Sequence, residues 1–254
     1  MIQRRNYGRG HGYTIDGVKA DGVTTLIGAG MPKPALTSWA ARVTAEYAAD
    51  NFDAIAALRE LPDNGRTEIV DLLSRVHINN RNKAAIRGTE VHGYAETLSR
   101  AVSVDVPEAL AGHVEACARF LDEWKVDPKV TECVIANRAH NYAGTLDVIA
   151  DVTPPGTMDT VRAIVDYKTG ASGIFPEVAW QLAAYRFAEV YLLDGVERAM
   201  HELAVTAGYA VWLRSDGYDV IEVRCGYEEF ASFVAIATVA RIAREKDNLV
   251  GVAA

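Results

Sequence analysis

The run Val-Arg-Ala-Ile-Val-Asp-Tyr-Lys-Thr at 161–169 is apolar until it ends in Asp166 and Lys168, just before Gly170. In an extended strand, residues two apart point the same way, so this carboxylate and this ammonium share one face and Tyr167 takes the other. Charges at the end of a buried strand are costly unless something pairs them. Taken alone, the pair reads equally well as a structural ion pair at a sheet edge or as two parts of a reaction centre.

A second carboxylate lies on the strand before it. In Ala143-Gly144-Thr145-Leu146-Asp147-Val148-Ile149-Ala150-Asp151, Asp147 stands between apolar residues, while Asp151 is near the end and reads as surface. If 143–152 and 161–169 pair as a hairpin across Thr153-Pro154-Pro155-Gly156, Asp147 and Asp166 approach each other. Two close carboxylates raise one another's pKa, and a divalent cation relieves the repulsion. Oxygen ligands suit Mg²⁺. Lys168 would then stabilise charge on a phosphate or help to place an attacking water.

Two helical pairs accompany them. His92 and Glu96, in Arg87-Gly88-Thr89-Glu90-Val91-His92-Gly93-Tyr94-Ala95-Glu96, lie one helical turn apart on one face. Gln181 and Tyr185, in Trp180-Gln181-Leu182-Ala183-Ala184-Tyr185, share a face at the same spacing. Either pair alone is ordinary helix packing.

The four segments in this order, H…GTLD…DYKTG…QLAAY, strongly resemble the RecB-like nucleases of the PD-(D/E)XK superfamily, with phage-encoded stand-alone exonucleases as a close subset. The resemblance covers roughly residues 83–190 and, by element order only, extends to about 224. It implies an α/β fold of the restriction-endonuclease-like type, a central mixed sheet flanked by helices with an N-terminal helical lobe. It further implies that His92, Asp147 and Asp166 are metal ligands, joined by the backbone carbonyl of Tyr167. Lys168 would be the catalytic lysine, with Gln181 and Tyr185 orienting the site and touching DNA. Glu132, fifteen residues before Asp147, and Glu96 would be outer acids behind the ligands. One imidazole among oxygen ligands makes Mn²⁺ a natural substitute for Mg²⁺. The implied reaction is hydrolysis of DNA phosphodiester bonds in recombination, repair or phage DNA metabolism. An exonuclease, a structure-specific flap endonuclease and a non-catalytic DNA- or partner-binding module on the same scaffold all stay open. Some relatives close a ring around DNA, so the oligomeric state is open as well.

Those residues need elements to position them. Residues 13–30 read as a hairpin, with Asp16-Gly17 and Asp21-Gly22 as turns between β-formers. Helices are expected over 36–49 and 53–61, with a break at Pro62-Asp63-Asn64-Gly65. Further helices are expected over 66–79 and 83–100, interrupted near Asn79-Asn80, and from Pro107 to Trp124. Strands follow at 129–136, 143–152, 161–169, 208–214 and 218–224, with a buried helix at 176–194 and a last helix over 227–246. The expected organisation is an N-terminal hairpin and helical lobe over 1–82 and a core over 83–254, as one compact unit.

Bulk properties narrow the function classes. The 254 residues, half of them hydrophobic, can bury a substantial core. No apolar run is long enough for a membrane span and no signal segment is apparent, which points to the cytoplasm, or the host cytoplasm for a phage protein. Cys117, Cys133 and Cys225 lack the number and spacing for an iron–sulfur cluster, and no Gly-x-x-x-x-Gly-Lys-Ser/Thr segment for ATP is present. The net charge of −8 disfavours DNA overall, but local charge matters more. Between Leu72 and Thr89 lie Arg75, Arg81, Lys83 and Arg87 without a single acid, and Arg4, Arg5 and Arg9 form a second basic cluster. Arg81, Lys83 and Arg87 are the candidate DNA contacts. The glycine-rich Gly8-Arg9-Gly10-His11-Gly12 follows no expected strand and reads as an arm.

Overall fold

The computed structural model describes residues 1–7, 10–61, 64–99 and 104–245. Gly8 and Arg9 of the glycine-rich stretch, Pro62 and Asp63 of the expected break, Arg100 and Lys246 at two expected helix ends lie outside the described residues. The chain divides into two compact units, Met1–Met31 with Glu90–Ala254, and Pro32–Thr89. The N-terminal hairpin therefore belongs with the sheet and not with the helices of Pro32–Thr89.

The first unit is mixed α/β. It begins with β1 (Ile2–Tyr7), β2 (Gly10–Ile15), β3 (Val18–Gly22) and helix α1 (Val23–Gly30). Gly10 to Gly12 of the glycine-rich stretch lie in a strand: β1 pairs antiparallel with β2, from Ile2 opposite Ile15 to Tyr7 opposite Gly10. Asp16 and Gly17, both at positive φ, make the tight β2–β3 turn that Asp-Gly predicts. Asp21-Gly22 behaves differently. Val23 to Ile27 are helical, because Val23, Leu26 and Ile27 are buried at helical spacing and that burial overrides the β-preference of Val-Thr-Thr.

The second unit contains α2 (Pro34–Asp50), α3 (Phe52–Arg59) and the first part of α4 (Gly65–Ser99). The α4 helix is continuous over 35 residues, so the interruption expected at Asn79-Asn80 does not occur. Asn lowers helix propensity only slightly, and two such residues do not stop a helix.

From Glu90 the chain rejoins the first unit. After α5 (Glu108–Glu123) come β4 (Asp127–Asn137), β5 (Tyr142–Val152), β6 (Val161–Lys168), α6 (Glu177–Arg186), β7 (Val190–Leu193) and β8 (Val196–Ala199). A short 3-10 turn, Met200–Leu203, leads to β9 (Ala207–Arg214), β10 (Gly217–Glu222) and α7 (Tyr227–Glu245). The helix expected over 176–194 is therefore only its first half. The second half of that range contains β7, which turns at Asp194 and Gly195, both at positive φ, into β8 beyond it.

Among the described residues, ten strands form one curled mixed sheet in the order β1-β2-β3-β5-β4-β7-β8, with β6, β9 and β10 continuing from β5. Strands β4, β5 and β6 run antiparallel in turn, and β9 lies parallel to β6 after the α6 crossover. Helices α1, α6 and α7 cover one face over a core that includes Leu26, Ile164, Leu182 and Phe233. On the other face Val91 and Ala95 of α4 and Phe120 of α5 pack with Val148, Val165 and Val211. Each fully buried large aliphatic or aromatic side chain of this kind contributes about 1.5–3 kcal/mol. Val91 and Ala95 fix the rotation of α4 and thereby aim the neighbouring His92 and Glu96. No helix of the described residues is long and apolar enough to cross a membrane.

Candidate metal and catalytic site

The site occupies a gap in the sheet. One edge of β5 is shared by two strands: β3 pairs with Tyr142 and Ala143, and β6 pairs with Val148 to Val152. Gly144 to Asp147 lie between those two ladders with no strand paired to them on that edge among the described residues. The β5–β6 ladder ends at Val148 opposite Val165, so Asp147 comes next, beside Asp166. The hairpin expectation thus brings both carboxylates to one place. The Asp147 Oδ2 accepts the Tyr167 backbone N–H at 2.8 Å, doing what a ladder carbonyl would otherwise do.

The other edge of β5 is irregular at the same point. Thr131 pairs with Val148 and Cys133 with Leu146, which sets Glu132 across from Asp147, with Glu132 at φ 46°. Tyr142, Leu146 and Ile149 face one core, whereas Val148, Ala150 and Val152 face the other, so alternation slips by one residue around Asp147. An irregularity of this kind re-aims a side chain out of the regular pleat.

Two clusters result. In the first, single ligand atoms of His92, Glu132 and Asp147 lie within 4.8 Å of one another, with His92 Nδ1 3.3 Å from Asp147 Oδ1. An imidazole and two carboxylates at that spacing could hold a metal ion. In the second, Lys168 Nζ is 2.6 Å from Asp166 Oδ2. Gln181 ties this pair down: its Nε2 donates to Asp166 Oδ1 at 2.8 Å, and its Oε1 accepts from Lys168 Nζ at 3.2 Å. The Gln181 amide also donates to Tyr185 Oη at 3.3 Å. Residues one turn apart on α6 therefore brace the end of β6.

Electrostatics separates the carboxylates. Burial pushes Asp166 up; Lys168 opposes this and the nearby Asp147 adds to it, and the balance is raised. Burial pushes Asp147 up as well, but His92 and Lys168 outweigh it, and the balance is lowered. Glu132 is raised to about 7 by burial and by Asp147. Burial lowers His92, but the charge and hydrogen bond of Asp147 outweigh it and raise the imidazole to about 9. Burial likewise lowers Lys168, yet Asp166 and Asp147 keep the ammonium charged, with its pKa raised.

These values have a consequence for cation binding, because a ligand must release its proton to coordinate. Below about 9 His92 holds a proton, and below about 7 Glu132 holds one too. Mn²⁺ affinity should therefore rise with pH, by about one log unit per pH unit between those two values and about two below the lower one. Isothermal titration in buffers of different ionisation heat reads both the affinity and the proton count.

Gly144 lets the second cluster form. A Cβ there would lie 2.6 Å from Tyr185 Cε1 and 3.4 Å from Val23 Cγ2. Gly144→Ala should displace the Tyr185 ring, loosen Gln181, and cost about 1–3 kcal/mol of stability as an overpacked core does. Thermal unfolding checks the stability, and the rate of the variant checks the effect on Lys168.

The geometry thus brings together His92, Asp147, Asp166, Lys168, Gln181 and Tyr185. The Tyr167 side chain leaves β6 on the face opposite Asp166 and Lys168 and packs edge-on against both His92 and Phe120, while its amide serves Asp147. Asp166 stands outside the three-residue ligand group, its oxygens engaged by Lys168 and Gln181. Glu132, expected behind the ligands, is one of the three grouped donors. Its signal in the sequence is a lone acid inside the strand Val130 to Ile135, at a distance from Asp147 that an antiparallel turn closes. Glu96 adds its charge to the field at Glu132. Arg81, Lys83 and Arg87 fall on α4 within the Pro32–Thr89 unit, Arg81 and Lys83 exposed and Arg87 half-buried. Tyr13 carries no signal in its spacing, yet its Oη meets Thr145 Oγ1 at 2.9 Å, inside the gap.

No family model matches the chain. No curated protein matches it either. Among solved structures the chain is similar to one described as the crystal structure of SSO0001, at 16% identity and a TM-score of 0.28, over 57% of this chain and 62% of that one. The match therefore spans less than two thirds of that chain's length.

Proposed function

We propose that this chain is a divalent-metal-dependent deoxyribonuclease of the RecB-like PD-(D/E)XK kind, with a restriction-endonuclease-like core, acting as an exonuclease in recombination, repair or phage DNA metabolism. One observation carries the reading. Residues from four separated segments, His92, Asp147, the Asp166–Lys168 pair and Gln181, converge on one gap in the sheet. The antiparallel β4–β5–β6 strands and the α6 crossover to a parallel β9 support the same reading.

His92, Glu132 and Asp147 would hold Mg²⁺ or Mn²⁺, with Asp166 and the Tyr167 carbonyl as the further ligands the resemblance implies. A bound divalent cation supplies charge neutralisation between the carboxylates and Lewis acidity toward a phosphate oxygen. The residues do the rest. The Lys168 ammonium lies 2.6 Å from Asp166 Oδ2 and donates to Gln181 Oε1, and it is the donor offered to the phosphate oxygen that gains charge. Because its pKa is raised, Lys168 acts as a fixed positive charge and not as a base at neutral pH. Asp166 and Gln181 keep that ammonium from swinging away. Water adds to phosphorus and releases a proton, the P–O bond to one sugar breaks, and the departing oxygen takes up a proton, so that one water is divided between the two fragments.

Arg81, Lys83 and Arg87 are assigned to sequence-independent phosphate binding. Reversing all three charges should weaken DNA binding and flatten its dependence on log salt by about 0.9 for each phosphate that is no longer neutralised. Fluorescence anisotropy across a salt series reads this, and an unchanged slope removes the assignment. Digestion of closed circular, linear and flapped DNA side by side tests the mode of action. Shortening of linear DNA with circles untouched supports the exonuclease; cutting only at flaps or within circles replaces it with an endonuclease.

A further inference from the structure

Beyond the metal cluster, the β1–β2 hairpin carries charge to the edge of the gap. Its register sets Ile2 opposite Ile15, Arg4 opposite Tyr13 and Asn6 opposite His11, so all six side chains share one face. The base of that face is buried: Ile2, Ile15 and Tyr13 pack with Ala20, Ala136 and Ala143. Its outer part is polar, with Arg4, Asn6 and His11 exposed. The Tyr13 hydroxyl, 2.9 Å from Thr145 Oγ1, fastens the hairpin to the unpaired stretch of β5, two residues before Asp147. The His11 ring sits edge-on to Tyr13 with centroids 5.3 Å apart.

Several arginines of this unit, Arg138, Arg162, Arg214 and Arg241 among them, are held by carboxylates, whereas Arg4, like Arg5, Arg186 and Arg198, is not. Arg4 makes no ion pair among the described residues, although it is close enough for its charge to be felt at Glu132, Tyr13 and His11. An exposed guanidinium with its fork unused, on a strand pair that Tyr13 joins to β5 two residues from Asp147, is suited to a phosphate of a bound strand. Burial and the charge of Arg4 both lower the His11 pKa, so at neutral pH its imidazole offers a neutral N–H next to the guanidinium.

We infer that the Arg4–His11 face of the β1–β2 hairpin binds the phosphodiester backbone of the DNA strand on the Glu132 side of the site. The inference rests on the nuclease reading above and adds two substrate-contacting residues to it. Tyr13 is a positioning residue, acting through Thr145.

The test uses the whole chain and its Arg4→Gln, Arg4→Lys and His11→Ala variants, with folding checked by circular dichroism. DNA binding is measured by anisotropy with Ca²⁺ across a salt series, hydrolysis with Mn²⁺, and Mn²⁺ affinity by calorimetry. Arg4→Gln should raise KM and Kd about tenfold, as removal of a charge-assisted hydrogen bond does, and leave kcat within about twofold. Its salt slope should fall by about 0.9, and Arg4→Lys should recover the slope but only part of the affinity. His11→Ala should raise KM less and leave the slope unchanged. If wild type cleaves DNA but KM and slope are unaffected by Arg4→Gln, the hairpin assignment fails alone. If Arg4→Gln alters Mn²⁺ affinity and not DNA affinity, Arg4 is merely the counter-charge of Glu132 and the assignment fails. If wild type neither binds nor cleaves DNA, the assignment and the nuclease reading fall together.

Discussion

Replacing Lys168 by alanine should lower the rate of DNA hydrolysis at saturating substrate by roughly 10²–10³-fold, the usual effect of removing one preorganised donor from a developing oxyanion. DNA affinity should stay within a few-fold, because the flanking surfaces still hold the phosphates. The variant also leaves Asp166, whose side chain is only 3% exposed, without its ammonium 2.6 Å away. Asp166 will then take up a proton at a higher pH, and Gln181 will still hold one of its oxygens. Stability should fall as well, since breaking a buried pair on one side exposes the cost of the other charge. That loss offers a control. In the double variant Asp166→Asn/Lys168→Ala no buried charge of the pair is left alone, so stability should return while the rate does not. A purely structural ion pair would behave otherwise: the rate would follow the stability and recover with it. Steady-state kinetics and thermal unfolding of the two variants separate these outcomes.

Asp147→Asn should be at least as damaging. The amide keeps the shape of the carboxylate and can still accept the Tyr167 N–H through its oxygen. What it removes is the charge that pairs with His92 at 3.3 Å and that joins Glu132 in the candidate ligand group. Mn²⁺ affinity should fall at least about a hundredfold, more than the loss of an outer partner of a ligand costs. Hydrolysis should fall by about 10³ or more, since both the cation and the field around Lys168 are lost. The imidazole supplies an independent reading. With Asp147 in place His92 is raised to about 9; without it burial dominates and the value should drop to the ordinary histidine range or below. An NMR titration of His92 in the metal-free protein measures this directly. A variant with full activity, or a His92 that titrates as before, contradicts the assigned pairing.

Much of the site is readable in the sequence because its residues obey strand and helix periodicity. Asp166 and Lys168 share a face by the two-residue repeat, and Gln181 and Tyr185 share one by the helical turn; the structure joins the two faces through a single amide. The turn at Thr153 to Gly156 places Asp147 beside Asp166. Glu132 is harder, because it stands at positive φ where the β4–β5 ladder skips one pair, and periodicity describes only regular strands. Tyr13 and the fastening of the hairpin to β5 depend on parallel pairing between segments far apart in the chain, which no local pattern encodes. The Asp-Gly dipeptide occurs four times and has two outcomes, and Asp216-Gly217 is one of the turns, joining β9 to β10. Asp16-Gly17 turns a hairpin as expected, and Asp194-Gly195 does so where a helix is expected. Asp21-Gly22 instead precedes a helix, with Asp21 paired to Arg241 and Arg244 of α7. Local turn chemistry proposes; burial of the flanking side chains decides.

The claim that Asp147, Asp166 and Lys168 form a metal-dependent nuclease site is tested most directly by digesting end-labelled single- and double-stranded DNA with wild type beside Asp166→Ala. Wild type should release labelled nucleotides with Mg²⁺ or Mn²⁺ and stop when the cation is chelated, and folded Asp166→Ala should release none. No release by wild type with either cation, or undiminished release by Asp166→Ala, would contradict the account.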